Sequence, residues 1–475
     1  METVLPFILG VVIVALGLAV SIALHEVGHL VPAKLFGVKV TQYMIGFGPT
    51  IFSKRRGETE YGLKAIPLGG YISMIGMFPP HKGEKVREGG TGFFQTLVQE
   101  GRTDSGPVTS ALDDSIDARE AEKGGYFGRM AADARAASAE TITEGDEHRA
   151  FYLLPVWKRI IIMFGGPFMN LVIAVVLFAV LLMGFGTAQA STTVGSVSAC
   201  VLPATSERQA CASTDAPSPA AAAGLLPGDR LVSIDGEPVT SWDASTAVIR
   251  ESSGRDLVVV VERDGSEQTL TVTPLPAERY VYDDAGKNVL DADGKPETAT
   301  YGFVGIGPAS ELVPQPASAV LPAVGENIAG VAHIIINLPE RMVGIAQAAF
   351  GTGERDPNGP ISVVGVGRVA GEIASIDTIP LQSKAASLIG LIASLNVALF
   401  VFNLVPLLPL DGGHIAGALW EAIRRGFAKL AGRRDPGPVD IAKLMPLTFA
   451  VVIILGGMSL LLVYADIVKP INIFG

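Results

Sequence analysis

Ala23-Leu24-His25-Glu26-Val27-Gly28-His29-Leu30 closes a long apolar run at the start of the chain and reads H-E-x-x-H. On a helix, residues four apart share a face, so His25 and His29 can present two imidazole nitrogens to one point with Glu26 beside them. Two neutral imidazoles and one further protein ligand suit zinc with an open position for water, and the neighbouring carboxylate can take a proton from that water as it attacks a carbonyl. Five residues can match this pattern by chance. Inside an apolar segment of this length, however, two histidines and a glutamate are costly to keep unless they bind something. The expectation is a metal site with His25 and His29 as ligands and Glu26 as general base.

The surroundings of the motif are those of a membrane. The 475 residues are 49% hydrophobic and 17% charged, with a mean hydropathy of +0.42, too apolar and charge-poor for a soluble protein of this size. Leu5 to Leu24 carries no charge and is long enough, at about 1.5 Å per residue, to cross a bilayer of about 30 Å. A signal peptide needs a basic start and a small-residue cleavage site, whereas Glu2 is the only early charge here. Residues 1–36 therefore read as a retained first transmembrane helix, with the lipid bilayer as partner. A formal net charge of -11 leaves no basic field for phosphate and argues against nucleic acid.

Beyond the motif, residues 37–78 alternate β-branched and aromatic residues with glycine and proline turns, the pattern of membrane-associated β-hairpins. Their edge could accept an extended peptide, or they could simply connect two helices. Residues 79–150 form a polar insertion with mixed charge. A second transmembrane helix falls in 151–188 and carries Gly165-Gly166-Pro167-Phe168-Met169-Asn170 near its start, where Asn170 is either an interhelical hydrogen-bonding residue or part of a site wall. Residues 189–278 are β-rich and polar, with an Asp264-Gly265 hairpin signal. Cys200 and Cys211 lie in this segment, either bridged or free. Residues 279–384 read as a β extension followed by amphipathic helices on the membrane surface, because Glu326, His333, Glu340 and Arg341 interrupt the apolar stretch.

A third transmembrane segment, 385–414, ends in Asn403-Leu404-Val405-Pro406-Leu407-Leu408-Pro409-Leu410-Asp411-Gly412-Gly413-His414. An aspartate at a proline-broken helix end beside the bilayer needs a partner, and the first helix offers a metal short of a third ligand. Asp411 is expected to be that ligand; His414 competes chemically, but a carboxylate followed by two glycines fits better. Asn403 is a candidate for holding substrate backbone. A basic cytosolic loop, 415–443, and a fourth transmembrane helix with its tail, 444–475, complete the chain. Lysines and arginines after the first span, before the second and after the third put those three connections on the cytosolic side. The histidine motif and Asp411 then share the cytosolic membrane face, and the β-rich domain is extracytoplasmic.

The expected fold is a polytopic α-helical membrane protein of about four transmembrane helices, with a membrane-associated β-hairpin region and an inserted extracytoplasmic α+β domain. In that domain, Gly224-Leu225-Leu226-Pro227-Gly228-Asp229-Arg230-Leu231-Val232-Ser233-Ile234-Asp235-Gly236 resembles the bacterial PDZ pattern, whose domains bind extended peptides or act as a steric plug. With HEVGH, GFGP, PLGGY, GGPFMN and NLVPLLPLDGGH, nearly the whole chain resembles the site-2 protease family of intramembrane zinc metalloproteases, in particular the bacterial single-PDZ group that cleaves anti-sigma factors. The resemblance implies Zn2+ on His25, His29 and Asp411, Glu26 as base and Asn403 at the scissile peptide. It also implies a bacterial plasma-membrane location and single-pass membrane protein substrates cut in regulated intramembrane proteolysis. The competing class is a non-catalytic membrane scaffold recruiting partners through its PDZ-like domain, which would have no need of a base at Glu26.

Overall fold

The computed structural model describes residues 4–79, 138, 142, 145–202, 206, 211–212, 215, 217–282, 288–291, 295–351, 355–356, 359–377 and 379–471. Most of the expected polar insertion at 79–150 lies outside the described residues. In chain order, helix α1 (Val4–Leu35) leads into strands β1 (Val40–Arg56) and β2 (Thr59–Met74), and then helix α2 (Val156–Ala179), which ends in a π-helical turn at Val180–Phe185. Next come β3 (Thr187–Val197), α3 (Pro219–Ala222), β4 (Arg230–Ile234), β5 (Glu237–Pro238), α4 (Trp242–Glu251), β6 (Leu257–Arg263), β7 (Ser266–Val272), β8 (Leu275–Tyr280), β9 (Thr298–Phe303) and β10 (Ile306–Val313). The chain returns to helix with α5 (Val320–Ile336), α6 (Leu338–Phe350), α7 (Val363–Ser375), α8 (Leu381–Asn403), α9 (Asp411–Leu430) and α10 (Met445–Val468).

These elements form two compact units, residues 1–184 with 316–475, and residues 185–315. The first is the membrane unit of a multi-pass membrane protein. Among the described residues, five helical stretches are long and apolar enough to cross a bilayer: 4–35, 156–185, 317–336, 381–403 and 441–468. Their large apolar side chains stay exposed, as lipid-facing surfaces do: Leu9, Leu16, Val176 and Ile454 are each more than half exposed. Backbones approach closely where α1 meets α2, because Gly28 and Gly165 face each other's carbonyls and a Cβ on either would overlap the backbone of the other helix.

Three expectations change here. The interrupted stretch after Val320 contains α5, which with its preceding turn is as long as a crossing helix, although surface helices were expected. The third apolar helix ends at Asn403, and residues 404–410 are an irregular turn, so the segment 385–414 is two helices and a break. The expected basic loop at 415–443 is helical as far as Leu430. Two prolines explain the break, since neither Pro406 nor Pro409 can donate to a helical ladder.

β1 and β2 form an antiparallel pair in which both strands bend, so that Gln42–Ile45 of β1 is flanked by Glu60–Leu63 on one side and Gly70–Ser73 on the other. Among the described residues, Gly70–Ser73 pairs with β1 alone. Val38, Val40, Tyr43 and Met74 pack with Leu30, Ala33 and Ile162 in one buried cluster, which ties this sheet to the ends of α1 and α2.

The second unit is a six-stranded sheet in the order β10-β3-β4-β6-β7, with β5 against β4, and a separate β8-β9 pair. Its core is Val194, Leu225, Leu231, Ile234, Trp242, Ile249, Leu257, Val259, Val261 and Val272, alternate strand positions closed by α4. Asp264 and Gly265, both at positive φ, make the β6-β7 turn expected of an Asp-Gly pair. Asp229, buried, accepts from Arg263 and from the Leu226 amide, which pins the Leu226–Asp229 turn to β6. Cys200 and Cys211, left open by the sequence, are joined in a disulfide.

Candidate metal centre

The site is assembled by three elements of the membrane unit. α1 supplies His25 and His29 one turn apart on one face, with their Nε2 atoms 3.2 Å from each other. α9 supplies Asp411 from its first turn, and Asp411 Oδ2 lies 3.3 Å from both Nε2 atoms. Ligand atoms of the three residues all fall within 4.8 Å of one another.

Asp411 arrives there because the Leu404–Leu410 turn folds tightly against the start of α9. A Cβ at Gly412 would overlap the Val405 carbonyl, and one at Gly413 would come to 2.6 Å from the Leu408 amide nitrogen. Only glycine lets the turn close. Gly166 of α2 does the same on the other side, since a Cβ there would overlap the His29 ring at Nε2.

α2 holds both imidazoles from behind. His29 Nδ1 donates to the Ile162 carbonyl at 2.7 Å, and this fixes Nε2 as the free nitrogen. Asn170, fully buried, sets its amide 3.1 Å from His25 Nδ1. A neutral His25 offering its Nε2 lone pair carries its proton on Nδ1. The Asn170 carboxamide turned end for end accepts that proton through Oδ1, the atom otherwise without a partner. The position of Asn170 thus answers both readings left open by the sequence: it is an interhelical hydrogen-bonding residue, and it stands against the histidines.

The donor set fits a divalent metal. Two imidazole nitrogens converge with both Nδ1 atoms engaged elsewhere, and Asp411 Oδ2 is a buried carboxylate oxygen with no hydrogen-bond donor. Three protein ligands of this kind leave a fourth tetrahedral position open. Glu26, 8% exposed, sits beside the cluster under β2, where a Cβ on Gly70 would come to 2.9 Å from Glu26 Cγ. Asn403 closes α8 across the turn from Asp411, half-buried, its amide without a hydrogen-bond partner among the described residues. His414 is not one of the residues whose ligand atoms cluster, and its ring lies 6.4 Å from that of Phe78.

Sequence reading missed the groups that clamp this arrangement. Arg159 of α2 and Glu421 of α9 form an ion pair with both side chains buried, and Glu421 also takes Arg425 and the Val439 amide. In the sequence Arg159 is only one of the basic residues before the second span, and no pattern there pairs it with Glu421.

A cluster able to hold a metal ion, carried on helices of a membrane unit with a buried glutamate at its side, points to the class of membrane-embedded metallohydrolases. The chain belongs to peptidase family M50, whose model matches residues 13–434, in line with the resemblance to site-2 proteases. It is 33% identical over 476 residues to zinc metalloprotease Rip1 of Mycobacterium tuberculosis, covering 98% of this chain and 99% of that one. Rip1 of Mycolicibacterium smegmatis is 32% identical over 483 residues, with the same coverage. Metalloprotease MmpA of Caulobacter vibrioides is 26% identical over 429 residues, 88% of each chain.

Proposed function

We propose that this protein is a zinc-dependent intramembrane endopeptidase that hydrolyses peptide bonds in or near the transmembrane segments of single-pass membrane proteins. The observation that carries the reading is the meeting of His25, His29 and Asp411 beside buried Glu26. Zinc held there supplies Lewis acidity toward water and toward a peptide carbonyl. Glu26 takes the proton from the attacking water and returns it to the leaving amine, for which its place one residue from His25 is suited. Asn403 offers its unengaged amide to the substrate backbone, and His25 and His29 are kept in the productive tautomer by Asn170 and the Ile162 carbonyl.

A transmembrane helix has its amides already paired, so the scissile segment has to be extended first. Gly70–Ser73, bonded on one side to β1 and lying over Glu26, is placed to receive that segment as an added strand. Anti-sigma-factor-like proteins are the proposed substrates, in a regulated sequence where another protease trims the outer domain first. Unit 185–315 is proposed to be a PDZ-like extracytoplasmic domain, a placement supported by its disulfide, which suits an oxidising compartment.

We infer four crossings from the course of the helices. α1 and α8 both end at the metal cluster, so both run toward the same membrane face, and the chain between α2 and α8 crosses an even number of times. A full crossing by α5 would need a return through α6 or α7, each 13 residues long, about 20 Å of helix against a core of about 30 Å. We infer that α5 and α6 form a helical hairpin that enters and leaves on one side.

The test is metal content together with cleavage of a single-pass reporter in membranes by the wild type and by Glu26→Gln. Bound zinc with lost cleavage in the variant is expected; cleavage equal to wild type would remove Glu26 from the mechanism and favour the scaffold reading.

A further inference from the structure

α9 wears its apolar side outward. Leu419, Trp420, Ile423, Phe427 and Leu430 are 48%, 56%, 48%, 69% and 89% exposed. At 3.6 residues per turn these five fall within one arc of about 100°. The opposite face carries buried Ala418 and Glu421 and packs toward α2. A helix of a soluble domain has the reverse arrangement, with the apolar stripe facing the core.

The charges frame that arc. Arg424, half-buried, lies about 40° beyond Trp420 on one side, Lys429, exposed, lies about 80° beyond Leu419 on the other, and Arg433 and Arg434, both exposed, follow the helix. From Leu419 to Arg434 the one acid is Glu421, and it is buried against Arg159 and Arg425. This surface is therefore cationic on a chain whose formal net charge is -11. An outward arc of Leu, Ile, Phe and Trp bordered by arginine and lysine matches a helix lying in the plane of lipid headgroups, apolar face in the acyl boundary and cations at the phosphates. The chain passes from there into α10, whose Leu447, Ile453 and Ile454 are exposed in the manner of a lipid-facing span.

We propose that α9 is an interfacial helix seated on a leaflet rich in anionic phospholipid. Leu419, Trp420, Ile423, Phe427 and Leu430 enter the acyl boundary, and Arg424, Lys429, Arg433 and Arg434 pair with the phosphates. Because Asp411 occupies the first turn of this helix, the leaflet supports the element that carries the carboxylate. The proposal does not depend on which reaction the site performs.

The test uses the full-length protein in nanodiscs of phosphatidylcholine, with and without phosphatidylglycerol. Cys200 and Cys211 are bonded to each other, so an environment-sensitive fluorophore can be attached to Phe427→Cys alone. The expected result is emission typical of an apolar medium, quenching by lipids spin-labelled near the headgroup, and little quenching by aqueous iodide. With Arg424, Lys429, Arg433 and Arg434 changed to Gln, the phosphatidylglycerol fraction needed for half-maximal lipid quenching should rise, by about fivefold in binding constant for each charge removed. Zinc content, read in parallel, should stay unchanged. A label quenched by iodide and untouched by the lipids would overturn the proposal, as would energy transfer between labelled copies showing that a second chain covers the arc, or equal quenching in the two lipid mixtures.

Discussion

At the residue scale, each member of the centre has a separate signature. Asp411→Asn keeps the shape but removes the anionic ligand, so metal content measured on purified protein should fall sharply, whereas Glu26→Gln should lose turnover and keep the metal. Asn170→Leu removes the acceptor behind His25. Groups that orient metal-bound histidines in this way are worth about 10–100-fold in metal affinity, so chelator competition should show a loss of that order, and Asn170→Asp, which keeps an acceptor oxygen, should recover part of it. Equal affinities in wild type and Asn170→Leu would reduce Asn170 to a packing residue. That His25, Glu26, His29 and Asp411 share one site was legible because H-E-x-x-H has a fixed helical geometry and an aspartate among apolar residues stands out. The role of Asn170 was not, since which ring an amide faces depends on the rotation of α2 against α1, and that rotation is set by the Gly28–Gly165 contact.

At the scale of elements, the Arg159–Glu421 pair joins α2, which orients the histidines, to α9, which carries Asp411. Both side chains are buried, at 5% and 1% exposure, so removing one partner leaves an uncompensated charge, a loss of about 3–5 kcal/mol. Glu421→Ala should therefore lower the thermal midpoint of the detergent-solubilised protein and weaken metal retention together; an unchanged midpoint would mean that α9 is held by other contacts. Helices were legible where the apolar run was long and uninterrupted by charge, as in α1 and α10, and the hairpin region was legible from its alternation. α9 read as a basic loop because its polar face is turned inward to Arg159 and its apolar face outward, so that neither the core pattern nor the spanning pattern was present. α5 is ambiguous for a related reason: Glu326 and His333 interrupt a stretch that is still, on average, apolar enough for a span.

For the whole molecule, the inserted unit has its own pH response. The Arg263 guanidinium bonded to Asp229 lowers that carboxyl's pKa below its ordinary value. A lowered folded-state pKa contributes stability that is fully present above the unfolded carboxylate value of about 4 and is lost as pH falls through the folded value. Hydrogen exchange along β4 and β6 should accordingly quicken below about pH 4, and Asp229→Asn should flatten that dependence; a variant with the wild-type profile would place the acid sensitivity elsewhere. The disulfide gives a second test at this scale. In intact cells, a membrane-impermeant reductant should expose Cys200 and Cys211 to an impermeant maleimide, whereas labelling that appears only after permeabilisation would put the unit on the other side.

The distance along the chain between His29 and Asp411 has a consequence for biosynthesis. The two histidines are made well before the carboxylate that meets them, which follows only after α2, the whole inserted unit and the four helices α5 to α8. On the proposed reading, a chain interrupted anywhere in that interval enters the membrane with an incomplete ligand set, and its partial translation products should be inert.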